Sequence, residues 1–96
     1  MSDPNLLVLA SLAGGAKHGY AMMEDVQQFA GVRLGPGTLY GAITRLEERG
    51  WIRAMKSADE RRHPYALTAE GRRALGDQLT ALNQIVKAGL TRLRHA

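Results

Sequence analysis

The chain has 96 residues, 45% hydrophobic and 23% charged, which is a globular composition with room for one small domain. It contains no cysteine, so disulfides, thiolate metal sites and thiol redox sensing are excluded. Its net charge is +4 and its isoelectric point about 10.0, a balance that suits a polyanionic partner.

The charge is unevenly placed. The first third sets Lys17 against Asp3, Glu24 and Asp25. The middle sets Arg33, Arg45, Arg49, Arg53, Lys56, Arg61, Arg62, Arg72 and Arg73 against Glu47, Glu48, Asp59, Glu60 and Glu70. The end is mildly basic. The longest apolar run, Leu6 to Ala13, is far below the ~18 residues that span a membrane. Met1-Ser2-Asp3 lacks the basic start of a signal peptide. The expectation is a cytoplasmic protein with no membrane partner.

Asp3-Pro4 predicts a helix start, with Asp as N-cap and Pro at the first position. Leu6, Leu9, Ala10 and Ala13 trace one face. Leu7, Val8 and Leu12 make this helix apolar nearly all round, so it should be buried on two sides, with a second subunit as one candidate cover. Gly14-Gly15 ends it. A second helix is expected from His18 or Gly19 to Ala30, burying Met22 or Met23, Val26, Phe29 and Ala30, and closed by Gly31. Val32-Arg33-Leu34 reads as a short strand or an extended link.

Gly35 to Ile52, GPGTLYGAITRLEERGWI, is the informative stretch. Gly35 serves as N-cap and Pro36 fits the first helical position. Leu39, Ile43 and Leu46 form one buried stripe, and Gly50 stops the helix. The opposite face carries Thr38, Tyr40, Gly41, Thr44 and Arg45. These are hydrogen-bonding groups on a surface kept thin by Gly41, as suits a helix in a DNA major groove. An ordinary amphipathic helix with a solvated face has the same pattern.

Trp51 to Lys56 and His63 to Leu67 read as two strands, joined by a turn at Ser57 to Glu60 and the pair Arg61-Arg62. Pro64 demotes the second strand to an edge or confines the proline to its first residues. Two strands after a helix–turn–helix pair describe a winged helix. Thr68 caps a last helix running from Ala69 nearly to the C-terminus, with Glu70 in its first turn. Leu75, Leu79, Leu82, Val86, Gly89 and Leu93 alternate steps of four and three, a heptad seam widened by Ile85 and Leu90. The first turns have the protein's own first helix to pack on. The last turns need a second copy of the chain.

The residues of catalysis do not assemble. His18, His63 and His95 are far apart and have no metal-ligand spacing. The acidic pairs Glu24-Asp25, Glu47-Glu48 and Asp59-Glu60 are adjacent and therefore diverge. Gly14-Gly15-Ala16-Lys17 does not match a phosphate-binding loop. No enzyme activity, metal or organic cofactor is expected.

Three segments resemble the PadR-like family of winged-helix transcriptional regulators. LLVLASLAGGAKHGYAM resembles its first helix and the His-Gly-Tyr opening of its second. GVRLGPGTLYGAITRLEERGWI resembles its recognition helix, and RRHPYALTAEGRRAL its wing and the start of its C-terminal helix. Together they cover most of residues 5 to 75.

The resemblance implies a homodimeric repressor that binds double-stranded DNA, with two recognition helices in successive major grooves of a pseudo-palindrome. It implies that Thr38, Tyr40 and Thr44 meet phosphates and base edges, and that Arg61, Arg62 and Lys56 lie along the wing and the minor groove. The short length and single C-terminal helix match a smaller subgroup of the family. Gly35 stands where Ser is common as the cap, a change worth a few tenths of a kcal/mol. Some relatives stack flat drugs on aromatic residues of the C-terminal helix. Here that helix has none, and the one Trp, Trp51, follows the recognition helix, so a small-molecule effector stays unidentified.

The fold expected is mainly α with a small β-wing. Residues 1–68 would be the winged helix-turn-helix domain and 69–96 the C-terminal dimerisation helix. A winged-helix module that binds another protein and no DNA is the alternative function. The Arg residues around Gly37–Arg45 and at Arg61-Arg62 argue against it, since protein interfaces pair their Arg with aromatics.

Overall fold

Helix α1 (Pro4–Ala13) is the element on which the others pack, in a computed structural model that describes residues 3–57 and 62–95. Asp3 caps it, its carboxylate accepting from the Asn5 N–H at 2.9 Å. Leu7, Val8, Leu9 and Leu12 point in different directions around it, and all four are buried. They are covered by α2 (Gly19–Ala30), α3 (Pro36–Glu48) and the start of α4 (Ala69–Arg94). Each such side chain contributes about 1.5–3 kcal/mol by leaving water.

Ser11 is the one buried polar side chain of this core among the described residues. Its hydroxyl donates to the Asp25 carboxylate at 2.7 Å, and Lys17 donates to its carbonyl. Lys17 also lies 3.8 Å from Asp25. The end of α1 is thereby tied to α2 through groups that satisfy one another.

In α2, Met22 and Val26 are buried, as the spacing predicts. Phe29 and Ala30 are not: Phe29 is 50% exposed. Val26 is the last residue of α2 in the core, and the turn after it is exposed. Gly31 closes the helix in the left-handed conformation, φ 67°. Val32 to Leu34 is an extended link rather than a strand, and it sends Leu34 into the core.

Strands β1 (Ile52–Ala54) and β2 (Tyr65–Leu67) are shorter than the sequence suggests and pair antiparallel, Ile52 opposite Leu67. Trp51 and Lys56 fall outside them. Pro64 stands just before β2, where its missing N–H is not needed, and its carbonyl accepts from Met55 at 2.8 Å. A further pairing has no counterpart in the sequence pattern. Lys17, in the link between α1 and α2, exchanges two backbone hydrogen bonds with Tyr65 at 3.0 and 3.1 Å. Strand β2 is therefore flanked on both sides. The turn at Ala58–Glu60 and Arg61 lie outside the described residues.

Helix α4 spans 26 residues. At about 1.5 Å per residue it outruns the rest of the fold. The molecule measures 56 × 26 × 19 Å.

Candidate functional site

Helix α3 sorts its residues cleanly. Leu39, Ala42, Ile43 and Leu46 are buried. Thr38, Tyr40, Thr44 and Arg45 are exposed, with Gly41 half-buried among them. The five make one continuous arc of the helix. Glu48, four residues after Thr44, continues the arc with a negative charge and ends the surface that a polyanion can approach.

Tyr40, Thr44 and Arg45 are each held by a neighbour. Tyr40 leans on the first turn of α2: a β-carbon placed on Gly19 would lie 2.6 Å from its hydroxyl. Half the tyrosine ring remains open to solvent, at 50% exposure. Thr44 donates its hydroxyl proton to the Tyr40 carbonyl at 2.9 Å. It therefore offers an outside partner its oxygen lone pairs and its methyl group. Arg45 donates through Nε and Nη2 to Asn5 Oδ1 on α1, at 3.3 and 3.1 Å.

Tyr40 also forms one wall of a cavity of about 310 Å³. The first turn of α2, from His18 to Ala21, forms another wall, and Arg62, His63 and Tyr65 close the wing side. His18 is the N-cap residue of α2, yet its side chain makes no capping bond. Its Nδ1 is buried without a hydrogen-bond partner among the described residues. His63 Nδ1 lies 3.3 Å from the Met55 carbonyl. Burial pushes the Tyr65 phenol above its ordinary value, and Glu47 and Tyr40 push the same way.

The structure thus brings Tyr40 and Arg62 around one hollow, with Thr38, Gly41, Thr44 and Arg45 along the adjoining helix face. Lys56 is exposed just beyond β1 and does not line the hollow. Arg61 lies outside the described residues. Asn5, Gly19 and Tyr65 are site neighbours that sequence reading did not single out. For Gly19 and Tyr65 the signals were present, in His-Gly-Tyr and Tyr-x-Leu-Thr. Asn5 gave none, being 40 positions from its partner.

The heptad positions divide in two. Leu75 is 5% exposed and belongs to the protomer's own core. Leu79, Leu82, Val86 and Leu93 are 46%, 42%, 53% and 74% exposed, and Ile85 and Leu90 lie open beside them. Gly89 is exposed, with nothing within 4 Å of where its β-carbon would be.

Residues 8–77 match the transcriptional regulator PadR-like family. The chain belongs to this family. PadR-like proteins are transcriptional regulators. Their winged-helix architecture is the one described above. A PadR family transcription regulator of Clostridium difficile superposes with a TM-score of 0.82 at 26% identity, over 94% of this chain and 97% of that one. RosR of H. salinarum superposes with a TM-score of 0.74 at 27% identity, over 85% of this chain and 74% of that one. A 37.1 kDa protein in transposon Tn4556 of Streptomyces fradiae is 45% identical over 74 residues, which is 77% of this chain. The PadR-like chain spans 21% of that protein's length. Among the described residues, no helix is long and apolar enough to cross a membrane.

Proposed function

We propose that this PadR-like regulator is a homodimeric repressor that acts in the cytoplasm on a pseudo-palindromic operator. The observation that carries the reading is the pairing of two surfaces on one small protomer. One is the arc of Thr38, Tyr40, Gly41, Thr44 and Arg45 on α3, with Arg62 of the wing across the hollow from Tyr40. The other is the uncovered apolar face of α4.

The first surface suits duplex DNA. Short hydroxyl-bearing side chains and a glycine let the helix backbone come close to base edges. Tyr40, braced on Gly19, contacts the duplex with little loss of side-chain freedom. Arg62 and Lys56 supply phosphate contacts that fix position without reading sequence. Residues 1–68 would act as the reader and 69–96 as the dimerisation arm.

The second surface suits another copy of the chain. Leu79, Leu82, Val86 and Leu93 keep to a heptad rhythm over four turns, widened by Ile85 and Leu90. Two such helices side by side would bury each other's seam and hold two copies of α3 at a fixed spacing.

Fluorescence anisotropy with duplex DNA across a range of salt concentrations tests this reading. The expected result is a steep fall in log K with log salt, at a slope of about −0.9 per phosphate contact. A selected duplex should bind at least ~10³-fold more tightly than a scrambled one. Binding that is indifferent to salt, or equal on both duplexes, would overturn it.

A further inference from the structure

The bond between Asn5 and Arg45 assigns a function to a residue outside the recognition helix. We infer that Asn5 is a positioning residue, which orients Arg45 to read a guanine in the major groove. This rests on the reading that α3 enters that groove.

The geometry of the guanidinium supports it. Its side edge, formed by Nε and Nη2, is taken by Asn5 Oδ1 at 3.3 and 3.1 Å. Its end, formed by Nη1 and the second Nη2 proton, has no hydrogen-bond partner among the described residues. An arginine recognises guanine with two parallel N–H donors aimed at O6 and N7. The free end supplies that pair. A neutral amide oxygen is a fitting anchor, because it holds the group in place and leaves its charge uncancelled. An acidic anchor would neutralise the arginine before the DNA arrived.

Gly41 supplies the space. A β-carbon there would lie 3.4 Å from Arg45 Nη1. The side chain therefore folds back one turn over the glycine instead of reaching outward to the backbone rims. That places Nη1 over Gly41, on the exposed arc. A long flexible cation at this point would lose side-chain entropy on binding. Fixing it beforehand moves that loss into folding and confines the donors to one direction.

The experiment begins with an operator selected from random duplexes by the wild-type protein. Affinities of wild type, Asn5→Ala, Asn5→Asp, Arg45→Ala and the Asn5→Ala/Arg45→Ala double variant are then measured. The duplexes are the operator and versions carrying 7-deazaguanine at each guanine in turn, which removes the N7 acceptor. Wild type should lose affinity at one guanine in each half-site, within the roughly 5- to 150-fold of a bidentate contact. Arg45→Ala should bind the operator more weakly and be indifferent to that substitution. Asn5→Ala should lose most of the same discrimination, keep it at other guanines, and add nothing in the Arg45→Ala background. Asn5→Asp retains the anchoring oxygen, so it should keep the discrimination while binding every duplex less tightly.

Full discrimination in Asn5→Ala overturns the inference, as does an equal loss at every position, which is the mark of a mere tie between α1 and α3. Sensitivity to every guanine unchanged in Arg45→Ala overturns it too. A wild type that selects no duplex would instead remove the groove reading, and this inference with it.

Discussion

Gly71 in the first turn of α4 lies directly against the backbone of Trp51, so that a β-carbon on Gly71 would overlap the Trp51 carbonyl oxygen. That carbonyl also accepts from the Thr68 N–H at 3.0 Å. Thr68 donates its hydroxyl to the Gly50 carbonyl at 2.7 Å and accepts from the Gly71 N–H at 3.0 Å. The end of α3, the start of the wing and the start of α4 therefore meet at one knot of backbone.

This contact predicts a stability effect with the opposite sign to helix propensity. Alanine is favoured over glycine in a helix by about 1 kcal/mol. Here the added methyl meets backbone, which cannot swing away. Gly71→Ala should destabilise by about 3 kcal/mol, the upper part of the range for overpacking. Gly76→Ala, in open space on the same helix, should stabilise slightly. Urea unfolding of both variants checks the pair; equal midpoints would refute the close contact.

Tyr65 predicts a pH effect. Its phenol is raised in the folded protein above the ordinary 10.0, burial being the largest cause. Below that ordinary value the phenol is neutral in both folded and unfolded chains, and the stability it is associated with is fully present. As pH rises past it, the unfolded chain ionises first, unfolding releases a proton, and stability falls. The loss is complete once pH exceeds the raised value. Tyr65→Phe should remove this contribution. Relative to its own value near ~pH 8, the variant should lose less stability than wild type above pH 10. Parallel alkaline profiles would show that Tyr65 is not the group responsible.

Much of this was legible in the sequence because local chemistry and burial agree. Asp3-Pro4, Gly31, Gly35-Pro36 and Thr68 mark helix ends by capping geometry, and the structure places ends at each. The stripe Leu39, Ile43, Leu46 is buried as its period requires. Phe29 departs from its expected burial because periodicity reports which residues share a face, not how far along a helix its neighbours extend. The pairing of Lys17 with Tyr65 was invisible because backbone hydrogen bonds leave no mark on side-chain pattern. Asn5 escaped notice for a similar reason. Its role depends on how α1 crosses α3, and a helix crossing is a tertiary fact.

The recognition face predicts a loss of specificity without a loss of fold. Tyr40→Ala with Thr44→Ala removes the braced ring and the hydroxyl it neighbours, both on the side away from the core. Removing a side chain that reads a base costs about 1–3 kcal/mol. The ratio of specific to scrambled duplex affinity should fall at least tenfold, while circular dichroism stays unchanged. A folded double variant with its ratio intact would show that the helix reads DNA elsewhere.

Arg62 should behave differently. It is exposed at the mouth of the hollow beside Tyr40, on the wing. A phosphate contact carries charge but no sequence information. Arg62→Ala should weaken all duplexes about equally and flatten the salt slope by roughly 1. A loss confined to one sequence at unchanged slope would make Arg62 a base reader.

The exposed seam of α4 predicts the assembly. Leu82 and Val86 are 42% and 53% exposed and lie beyond Leu75, the last heptad position that the protomer buries itself. Leu82→Glu with Val86→Glu should leave the fold of a single protomer nearly intact, since neither side chain belongs to its core. In a dimer the same carboxylates would be buried without partners, which is strongly unfavourable. The variant should therefore sediment as a folded monomer at concentrations where wild type is a dimer. DNA affinity should fall too, though no DNA-facing residue has changed. Two copies of α3 engage both half-sites together when held roughly 34 Å apart, about one turn of DNA. Separate protomers lose the linked second binding event and the avidity it confers, typically 10²- to 10⁴-fold. Affinity for a single half-site should stay the same, which distinguishes lost linkage from a damaged reader. A monomeric wild type at micromolar concentration, or a dimeric double variant with full operator affinity, would leave the apolar face of α4 without a role in assembly.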